Sequence, residues 1–452
     1  MAYVYPFIGT RYNPKIISDL SKVLTPPYDC ITEAMQDEFY KRHPKNFVRI
    51  ILGKEVAGDD EFNNRYSRAA NLLQEWRREQ SLVDDPKQSF YLMEQDYANP
   101  AGKRLRRRGF YGLVRLQGYG AGKIRAHEKT FKAPKADRYR LMRATQFNLS
   151  PVFVLYEDPK DEVAALLSSV IDKTKPVVAS QDDEGTKHSL WLSCSKELLK
   201  SVSDAMRDRE LLIADGHHRF ETALHYRNEM RRLSGQQGVR HGSDYLMMYL
   251  VSMSDPGLEI LPTHRALAEE AGVGVEVEEV VEDLKEHFKV EPVSINARKE
   301  PEKGAKLLMD KIAEAGKKAI AMAMVLRGGR AFVLTLKRGV SPEKLTEDQQ
   351  IPPVVANLDV SVLHHFIIPH VWIGNPEIEL DEGEILYTRD AVEAIKLSTT
   401  RKACVVFLMN SPKMEQVVKV SRAGLRLPHK TTYFYPKVIS GMVVRDMKTF
   451  GG

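Results

Sequence analysis

Cysteine is scarce in this chain. Three of its 452 residues are cysteines, Cys30, Cys194 and Cys404, and no two of them form a Cys-x-x-Cys pair. We therefore expect neither a disulfide framework nor a structural zinc site built on cysteines. The composition is typical of a protein of the reducing cytoplasm.

Long hydrophobic runs are also missing. No stretch reaches the roughly eighteen uninterrupted apolar residues that a membrane-spanning helix needs. Residues 1–7 lack the charged and long apolar regions of a secretory signal. We predict a cytoplasmic protein that does not span a membrane.

No single sign of charge dominates. The net charge is +6, from 67 Lys and Arg against 61 Asp and Glu. This surplus gives no case for nucleic acid by itself, but it fits small anionic substrates. The phosphate loop Gly-x-x-x-x-Gly-Lys-Ser/Thr and the protein-kinase loop motifs are absent, so those common nucleotide-binding folds are not expected.

Residues 211–224 are the most informative stretch and predict a strand, a glycine turn and a helix. Residues 211–214 are apolar, Asp215 and Gly216 interrupt them, and apolar residues then recur at helical spacing from Phe220. The start of a helix presents free N–H groups and the positive end of the helix dipole. Such a turn suits an anion.

The first side chains of that helix suit the same ligand. His217, His218 and Arg219 bring two imidazoles and a guanidinium, which are donors for phosphate oxygens. The carboxylate of Asp215 beside them indicates a metal ligand or a proton acceptor as well as a helix cap. Alternatively, Asp215 only caps the helix while the histidines pack or face solvent. The five motif residues together favour an anion or substrate site.

A second motif precedes another predicted helix. Residues 127–130 place an imidazole, a carboxylate, an ammonium and a hydroxyl side by side, and Pro134 suits the first turn of the helix that follows. Neighbouring loop residues can bind one ligand, but four polar residues in a row are also common on surfaces. This motif alone does not decide between the two.

Other stretches predict mainly structure. Residues 46–52 predict a buried strand and residues 59–81 a helix. Two paired strands, 89–95 and 109–116, are joined by a connection that contains the basic run 103–108. No aromatic residues are interleaved through that run, so we interpret it as the solvated turn of an exposed hairpin instead of a nucleic-acid site.

Two later stretches carry cationic side chains. His264 and Arg265 follow an apolar strand, as the first His-Arg pair does, which favours a shared cationic site. Lys430 stands with hydroxyl and aromatic residues in 427–437. That segment can line an anionic pocket or form an edge strand that folds back on the core.

The remaining chain divides into segments. Residues 271–345 predict two helices and then two strands joined by a hairpin at 327–330, with no evident chemistry. We therefore divide the chain into a core with its N-terminal segment, an accessory α/β module and a C-terminal segment that returns to the core. Their bounds are 1–270, 271–345 and 346–452.

Taken in order, the motifs resemble domain-of-unknown-function family 1015 (DUF1015) over nearly the whole chain. They are Pro26-Pro27-Tyr28-Asp29, Asn46-Phe47-Val48-Arg49, His127-Glu128-Lys129-Thr130, Asp215-Gly216-His217-His218-Arg219, Pro262-Thr263-His264-Arg265 and Lys430-Thr431-Thr432-Tyr433-Phe434-Tyr435-Pro436-Lys437. Thr431 stands where a serine is expected, which keeps the hydroxyl. The Asp-Gly-His-His-Arg turn is also similar to the phosphate-binding turn of the ParB and sulfiredoxin superfamily.

This resemblance implies a fold and an activity. We expect an α+β fold of mixed sheets and packed helices, with a ParB/sulfiredoxin-like core around the turn and the accessory α/β module. Because some relatives phosphorylate free L-serine, the resemblance implies a small-molecule phosphotransferase that makes O-phosphoserine. The donor would be pyrophosphate or a nucleotide, and the cofactor Mg²⁺.

The hypothesis assigns roles to particular residues. The candidate phosphate-binding residues are Gly216, His217, His218, Arg219, Lys129, Thr130, Lys430 and Thr431. The candidate catalytic residues are Asp215, Glu128, Asp29 and His218, of which Asp215 and Glu128 are also the candidate metal ligands. The candidate substrate-binding residues are His127, His264, Arg265 and Tyr28.

Two alternatives remain at this point. A nucleotide hydrolase or a sulfiredoxin-like phosphotransferase is one, although sulfiredoxin chemistry needs a cysteine in the turn and this turn has none. A non-catalytic ParB-like, nucleotide-dependent regulator is the other, and it needs a helix-turn-helix with a basic recognition helix, which we do not find. The expected partners are a phosphate donor and an amino acid. The oligomeric state stays open.

Overall fold

The computed structural model describes residues 3–119, 122–128, 130–235, 240–272, 274–375, 383–400 and 402–448. The chain forms two compact units. The first comprises Met1–Glu259 with Tyr435–Gly452, and the second comprises Ile260–Phe434. The fold is mixed α+β with several sheets and packed helices, as predicted. The predicted segments 1–270, 271–345 and 346–452 have other bounds and stay predictions.

The strands follow one another along the described chain. They are β1 Val4–Tyr5, β2 Thr10–Tyr12, β3 Leu82–Asp84, β4 Phe90–Ala98, β5 Arg104–Arg115, β6 Ile124–Arg125, β7 Phe147–Asn148, β8 Val152–Tyr156, β9 Val178–Gln181, β10 Lys187–Ser193, β11 Leu211–Asp215, β12 Tyr245–Ser252, β13 Glu259–Leu261, β14 His264–Ala268, β15 Phe288–Val293, β16 Ala321–Leu326, β17 Ala331–Leu336, β18 Ile385–Thr388, β19 Ala403–Met409, β20 Tyr433–Tyr435 and β21 Arg445–Asp446.

The α-helices lie between these strands, singly or in groups. They are α1 Glu33–Arg42, α2 Val48–Ile51, α3 Arg65–Arg78, α4 Lys132–Thr145, α5 Glu162–Ile171, α6 Lys196–Met206, α7 His217–Ser234, α8 Val277–His287, α9 Pro301–Ala315, α10 Pro342–Leu345, α11 Pro353–Ala356, α12 Asp359–Val362, α13 Ala391–Ser398 and α14 Met414–Arg422. Short 3₁₀ turns lie at Leu20–Lys22, Tyr28–Cys30, Gly242–Asp244 and Glu269–Gly272, and a π-helical stretch at Leu363–Trp372. None of these described helices is both long and apolar enough to cross a membrane.

One large sheet organises the first unit. Within the described residues its strand order is β6-β11-β8-β12-β5-β4-β10-β9, with β1 added beside β5. All eight residues of β12 are buried, as expected for a strand covered on both faces. Alternate residues of β5, β8 and β12 join apolar residues of α5, α6 and α7 in one hydrophobic core. This core holds the start of α7 against the sheet.

The prediction of a strand at 46–52 is wrong. Val48–Ile51 forms a short helix, and the side-chain oxygen of Asn46 accepts a hydrogen bond from the backbone N–H of Val48 at its start. Val48, Ile50 and Ile51 are buried. A short run of buried apolar residues has no periodicity that separates a strand from a helix, and here the polar Asn46 favours the turn.

The basic run 103–108 does not form the connection of its hairpin. Strand β5 begins at Arg104, so the run continues into the sheet, where side chains alternate between faces. Arg104 pairs with Asp96 at 2.7 Å, whereas Arg107 is fully buried and donates to the Pro436 carbonyl at 2.5 Å. The run is therefore partly internal, and strand pairing neutralises part of its charge.

The second unit contains a smaller sheet of order β15-β17-β16-β19-β14-β18. Its neighbouring strands are antiparallel. The predicted hairpin at 327–330 is confirmed between β16 and β17. Residues 271–345 share this sheet with β14, β18 and β19, and buried residues of α9 and α13 pack in its core. Strand β15 was not predicted, although residues 288–291 alternate between apolar and polar side chains. Pro292, which is unusual inside a strand, interrupts that pattern.

Candidate active site

The strand, turn and helix at 211–224 form as predicted. Strand β11 ends at Asp215 with a register irregularity between Ile213 and Asp215, and α7 begins at His217. Gly216 has φ = +91°, a conformation that side chains with a Cβ rarely adopt. A Cβ there would also lie 3.0 Å from the Arg219 guanidinium. Glycine thus permits the turn and lets Arg219 fold back over it.

Asp215 is bound on both carboxylate oxygens. Nη2 of Arg219 donates to Oδ2 at 2.5 Å, Nζ of Lys437 donates to Oδ1, and Arg219 also donates to the Pro151 carbonyl. Burial acts to raise the pKa of Asp215, but Lys437 and Arg219 outweigh it and hold that pKa well below its ordinary value. Burial likewise acts to lower the pKa of Lys437, and Asp215 keeps it raised. Asp215 and Lys437 are therefore both charged at neutral pH, and the Arg219 guanidinium carries a permanent positive charge.

This triad leaves one surplus positive charge at the start of α7. Gly216 occupies the capping position and has no side chain to accept from the first-turn N–H groups. The amides and the helix dipole add to the surplus charge. The start of α7 is therefore suited to a bound anion, as the sequence predicts.

The motif at 127–130 meets the turn. Nε2 of His217 accepts from the backbone N–H of His127 at 3.4 Å, and Nε2 of His218 accepts from the backbone N–H of Phe131 at 2.9 Å. The Thr130 hydroxyl donates to Glu221, farther along α7, at 2.6 Å. Hydrogen bonds thus join two motifs that are about ninety residues apart in the chain. Lys129 lies outside the described residues.

Three side chains of this junction form a group that can hold a metal ion. Nδ1 of His217 lies 3.4 Å from Oε2 of Glu128, and Nε2 of His127 lies 4.0 Å from Oε1 of Glu128. One ligand atom from each residue lies within 4.8 Å of the other two. The predicted metal ligand Glu128 belongs to this group. Asp215 does not, since its oxygens already bind two cations.

Asp29 and Tyr28 also lie near the turn. Burial lowers the pKa of His218, and the Asp29 carboxylate opposes that effect; it also helps to raise the pKa of Lys437. Asp29 is exposed, and in the described part of the chain no hydrogen bond or ion pair joins it to another residue. Of the predicted carboxylates Asp29, Glu128 and Asp215, Asp29 is the exposed one.

Tyr28 packs on the inner side of the same region. The guanidinium of Arg138 stacks 3.9 Å from the centre of its ring, and burial raises the pKa of Tyr28 to about 12. Tyr28 and Arg219 line one cavity together with Ser150 and Thr222. The phenol therefore stays protonated at neutral pH.

The other four predicted residues belong to the second unit. Arg265 is buried and donates to the Lys430 carbonyl and to Nε2 of His364, each at 3.1 Å. Burial lowers the pKa of Arg265 to about 10 and that of His264 to about 4. The Thr431 hydroxyl donates to the Pro428 carbonyl at 2.6 Å. These residues gather around Arg265 within that unit.

Lys437 and Glu221 also contact this region, although neither is among the predicted site residues. Lys437 is the last residue of the sixth motif, and its place in that motif was a sign of a functional role. Its partner Asp215 lies 222 positions away, so the sequence does not indicate their contact. Glu221 stands four residues after His217, so helical spacing places both on one side of α7. Its pKa, which burial alone would raise, is lowered by Lys135 and Thr130.

Comparison with known proteins gives a family and weak structural likenesses. Among curated proteins, none matches the chain. A free serine kinase in complex with AMP is 16% identical with a TM-score of 0.31, over 72% of this chain and 86% of that one. A conserved hypothetical protein from Pyrococcus furiosus is 15% identical with a TM-score of 0.32, over 73% and 92%.

SbnI with a C-terminal truncation, from Staphylococcus aureus, is 10% identical with a TM-score of 0.33, over 73% of this chain and 84% of that one. At these TM-scores the likenesses carry no functional inference.

Residues 4–361 match the family described as "Protein of unknown function (DUF1015)". This match covers well over half of the chain, so the chain belongs to the DUF1015 family.

Proposed function

We propose that this protein is a small-molecule phosphotransferase whose donor phosphates bind at the start of α7. One observation carries the proposal. Lys437 and Arg219 put two positive charges on the single carboxylate of Asp215, directly at a helix N-terminus. That arrangement supplies both the fixed charge and the amide donors that a phosphoryl group needs.

Backbone and side-chain groups of the turn have different proposed roles. The backbone N–H groups of Gly216 and His217 and the Arg219 side chain bind the donor phosphates. The hydrogen bond to Asp215 already fixes the Arg219 guanidinium. The guanidinium therefore loses little conformational freedom when the donor binds. This preorganisation supports a ParB/sulfiredoxin-like use of the turn.

Asp29 is the proposed general base. A carboxylate with a strongly lowered pKa is a weak proton acceptor, which argues against Asp215 in this role. Glu128 lies between two imidazoles in the metal-binding group. Asp29 is exposed and has the freedom to reach an acceptor hydroxyl. The resemblance makes free L-serine the proposed acceptor, with pyrophosphate or a nucleotide as donor, in the cytoplasm.

The resemblance also implies Mg²⁺. Mg²⁺ prefers oxygen ligands and usually binds through one or two carboxylates and the substrate phosphates. His127, Glu128 and His217 offer two nitrogens and one carboxylate, and Asp215 is already paired with two cations. These residues do not fit a Mg²⁺ ion held by the protein, so no step here depends on one.

Phosphorus NMR of the purified chain tests the proposal. We expect O-phosphoserine to form from L-serine and either ATP or pyrophosphate, with Mg²⁺ supplied. Arg219→Ala should abolish that signal, while Arg106→Ala, which changes an exposed arginine of β5, should retain it. Consumption of the donor without phosphoserine would replace the kinase with a hydrolase. No change in either donor would overturn the phosphotransferase assignment.

A further inference from the structure

We propose that His127, Glu128 and His217 bind one divalent ion of a first-row transition metal, of the Zn²⁺ or Co²⁺ type. Binding of such an ion does not depend on the phosphotransferase activity. The group lies in the first unit, where the motif at 127–130 meets the start of α7.

The spacing of the side chains supports a shared ion. Two ligand atoms about 2.1 Å from one tetrahedral metal lie about 3.4 Å apart. Nδ1 of His217 and Oε2 of Glu128 are already 3.4 Å apart. An ion on Nδ1 moves the ring proton to Nε2, and His217 then gives up the long 3.4 Å hydrogen bond from the His127 backbone N–H. The pair from His127 to Glu128 is wider, at 4.0 Å. Glu128 is partly exposed and can close that gap by rotating its side chain.

The two imidazoles are held in place before any ion binds. The side chains of His127 and His217 are 0% and 3% exposed, and their rings meet nearly at right angles with centroids 4.7 Å apart. Strand β6 pairs with β11 in parallel, which ties the segment before His127 to the strand before His217. Ligands fixed by a sheet lose little freedom on binding a metal.

The donor atoms select the class of metal. Imidazole suits Zn²⁺, Fe²⁺ and related ions, whereas sites for Mg²⁺ use oxygen ligands. Three protein ligands also leave a coordination position for water or substrate, as in catalytic zinc sites. The charge of Glu128 offsets the unfavourable effect of the α7 dipole on a cation. The rival explanation is a Glu128–His217 proton relay that binds no metal.

Titration with Co²⁺ tests the site. The full chain, treated with EDTA and freed of the chelator, should develop visible absorption bands that saturate at one Co²⁺ per chain. Zn²⁺ should abolish these bands and a large excess of Mg²⁺ should leave them. His217→Ala and Glu128→Gln should each weaken Co²⁺ binding more than about 10- to 100-fold, which is the loss caused by removing a group that only supports a ligand.

His218→Ala is the matched control, since this histidine of the same turn faces Phe131 instead. It should keep Co²⁺ affinity near that of the unchanged chain. Circular dichroism shows whether each variant is folded. If His217→Ala does not fold, Glu128→Gln still tests the site, because glutamine has nearly the same size as glutamate. Absence of Co²⁺ bands, or bands that both ligand variants retain, would overturn the site. Phosphoserine formation, measured separately, reports on the kinase alone.

Discussion

Nζ of Lys437 donates to Oδ1 of Asp215, which joins residues 222 positions apart in the chain. The C-terminal segment thereby completes the charge balance of a turn that is otherwise local. Arg107 binds the carbonyls of Tyr435 and Pro436, just before this lysine. Residues 435–437 are thus held at two neighbouring places within the first unit.

Lys437→Met should destabilise the first unit. The substitution leaves Asp215 buried with Arg219 as its remaining cation, and loss of one partner of a buried pair costs about 3 kcal/mol. Urea unfolding followed by circular dichroism measures the change. Lys22→Met, which breaks an exposed pair with Asp19, should change the midpoint little. Equal effects of the two substitutions would contradict the buried pairing.

The turn should lose stability in acid. The pKa of Asp215 is lowered in the folded chain, so its contribution is present above the ordinary pKa of 3.8 and is lost as the pH falls toward the folded value. Below about pH 4 the unchanged chain should therefore lose stability more steeply than Asp215→Asn. Unfolding midpoints of both proteins between pH 3 and 7 give the comparison. Parallel curves would show that Asp215 does not contribute.

Gly216→Ala should disturb the turn more than an equivalent change at the other end of α7. Gly216 and Gly235 both have positive φ, at +91° and +58°. A Cβ at Gly216 would lie 3.0 Å from the Arg219 guanidinium, whereas a Cβ at Gly235 would have nothing within 4 Å. Each alanine costs about 1–2 kcal/mol through its backbone.

The difference between these two variants isolates the Arg219 contact. Gly216→Ala should also weaken pyrophosphate binding in calorimetry, because Arg219 must shift away from the turn. Gly235→Ala should bind pyrophosphate as the unchanged chain does. If both variants bound it equally well, Arg219 would not need its position over Gly216.

Asp29→Asn should lower kcat about 10²- to 10⁴-fold while the KM for the donor stays nearly constant. Loss of a general base slows proton transfer without removing a phosphate contact. Steady-state assays of phosphoserine formation measure both constants. Asp208→Asn, which changes an exposed carboxylate of the same unit, is the control. A raised KM with an unchanged kcat would instead make Asp29 a binding residue.

Local chemistry explains which predictions succeeded. The strand, turn and helix at 211–224 follow from an apolar run, a glycine and helical spacing, all of which act between near neighbours. The same holds for α4 after the motif at 127–130 and for the hairpin at 327–330. The ordered motifs were sufficient to predict the DUF1015 family, which is confirmed.

Predictions failed or stayed incomplete where burial or a distant residue determines the local conformation or the partner of a side chain. Residues 46–52 are apolar enough for either a strand or a helix. The helix forms where Asn46 accepts from the Val48 N–H and donates to the distant Lys22 carbonyl. In the basic run, Arg107 looks like its exposed neighbours, yet strand alternation turns it inward. The free carboxylate at Asp29 and the paired one at Asp215 are likewise indistinguishable along the chain.

The sequence by itself determined the conformation of the turn and the kinds of donors that it carries, because backbone sterics and helix periodicity act over a few residues. The tertiary structure determined which partners these side chains have and how they are charged. Lys437 reaches Asp215 only through the fold, and charge pairing together with burial then sets the pKa of the carboxylate. Such Coulomb interactions depend on distance in space and on solvent exclusion, which residue order does not specify.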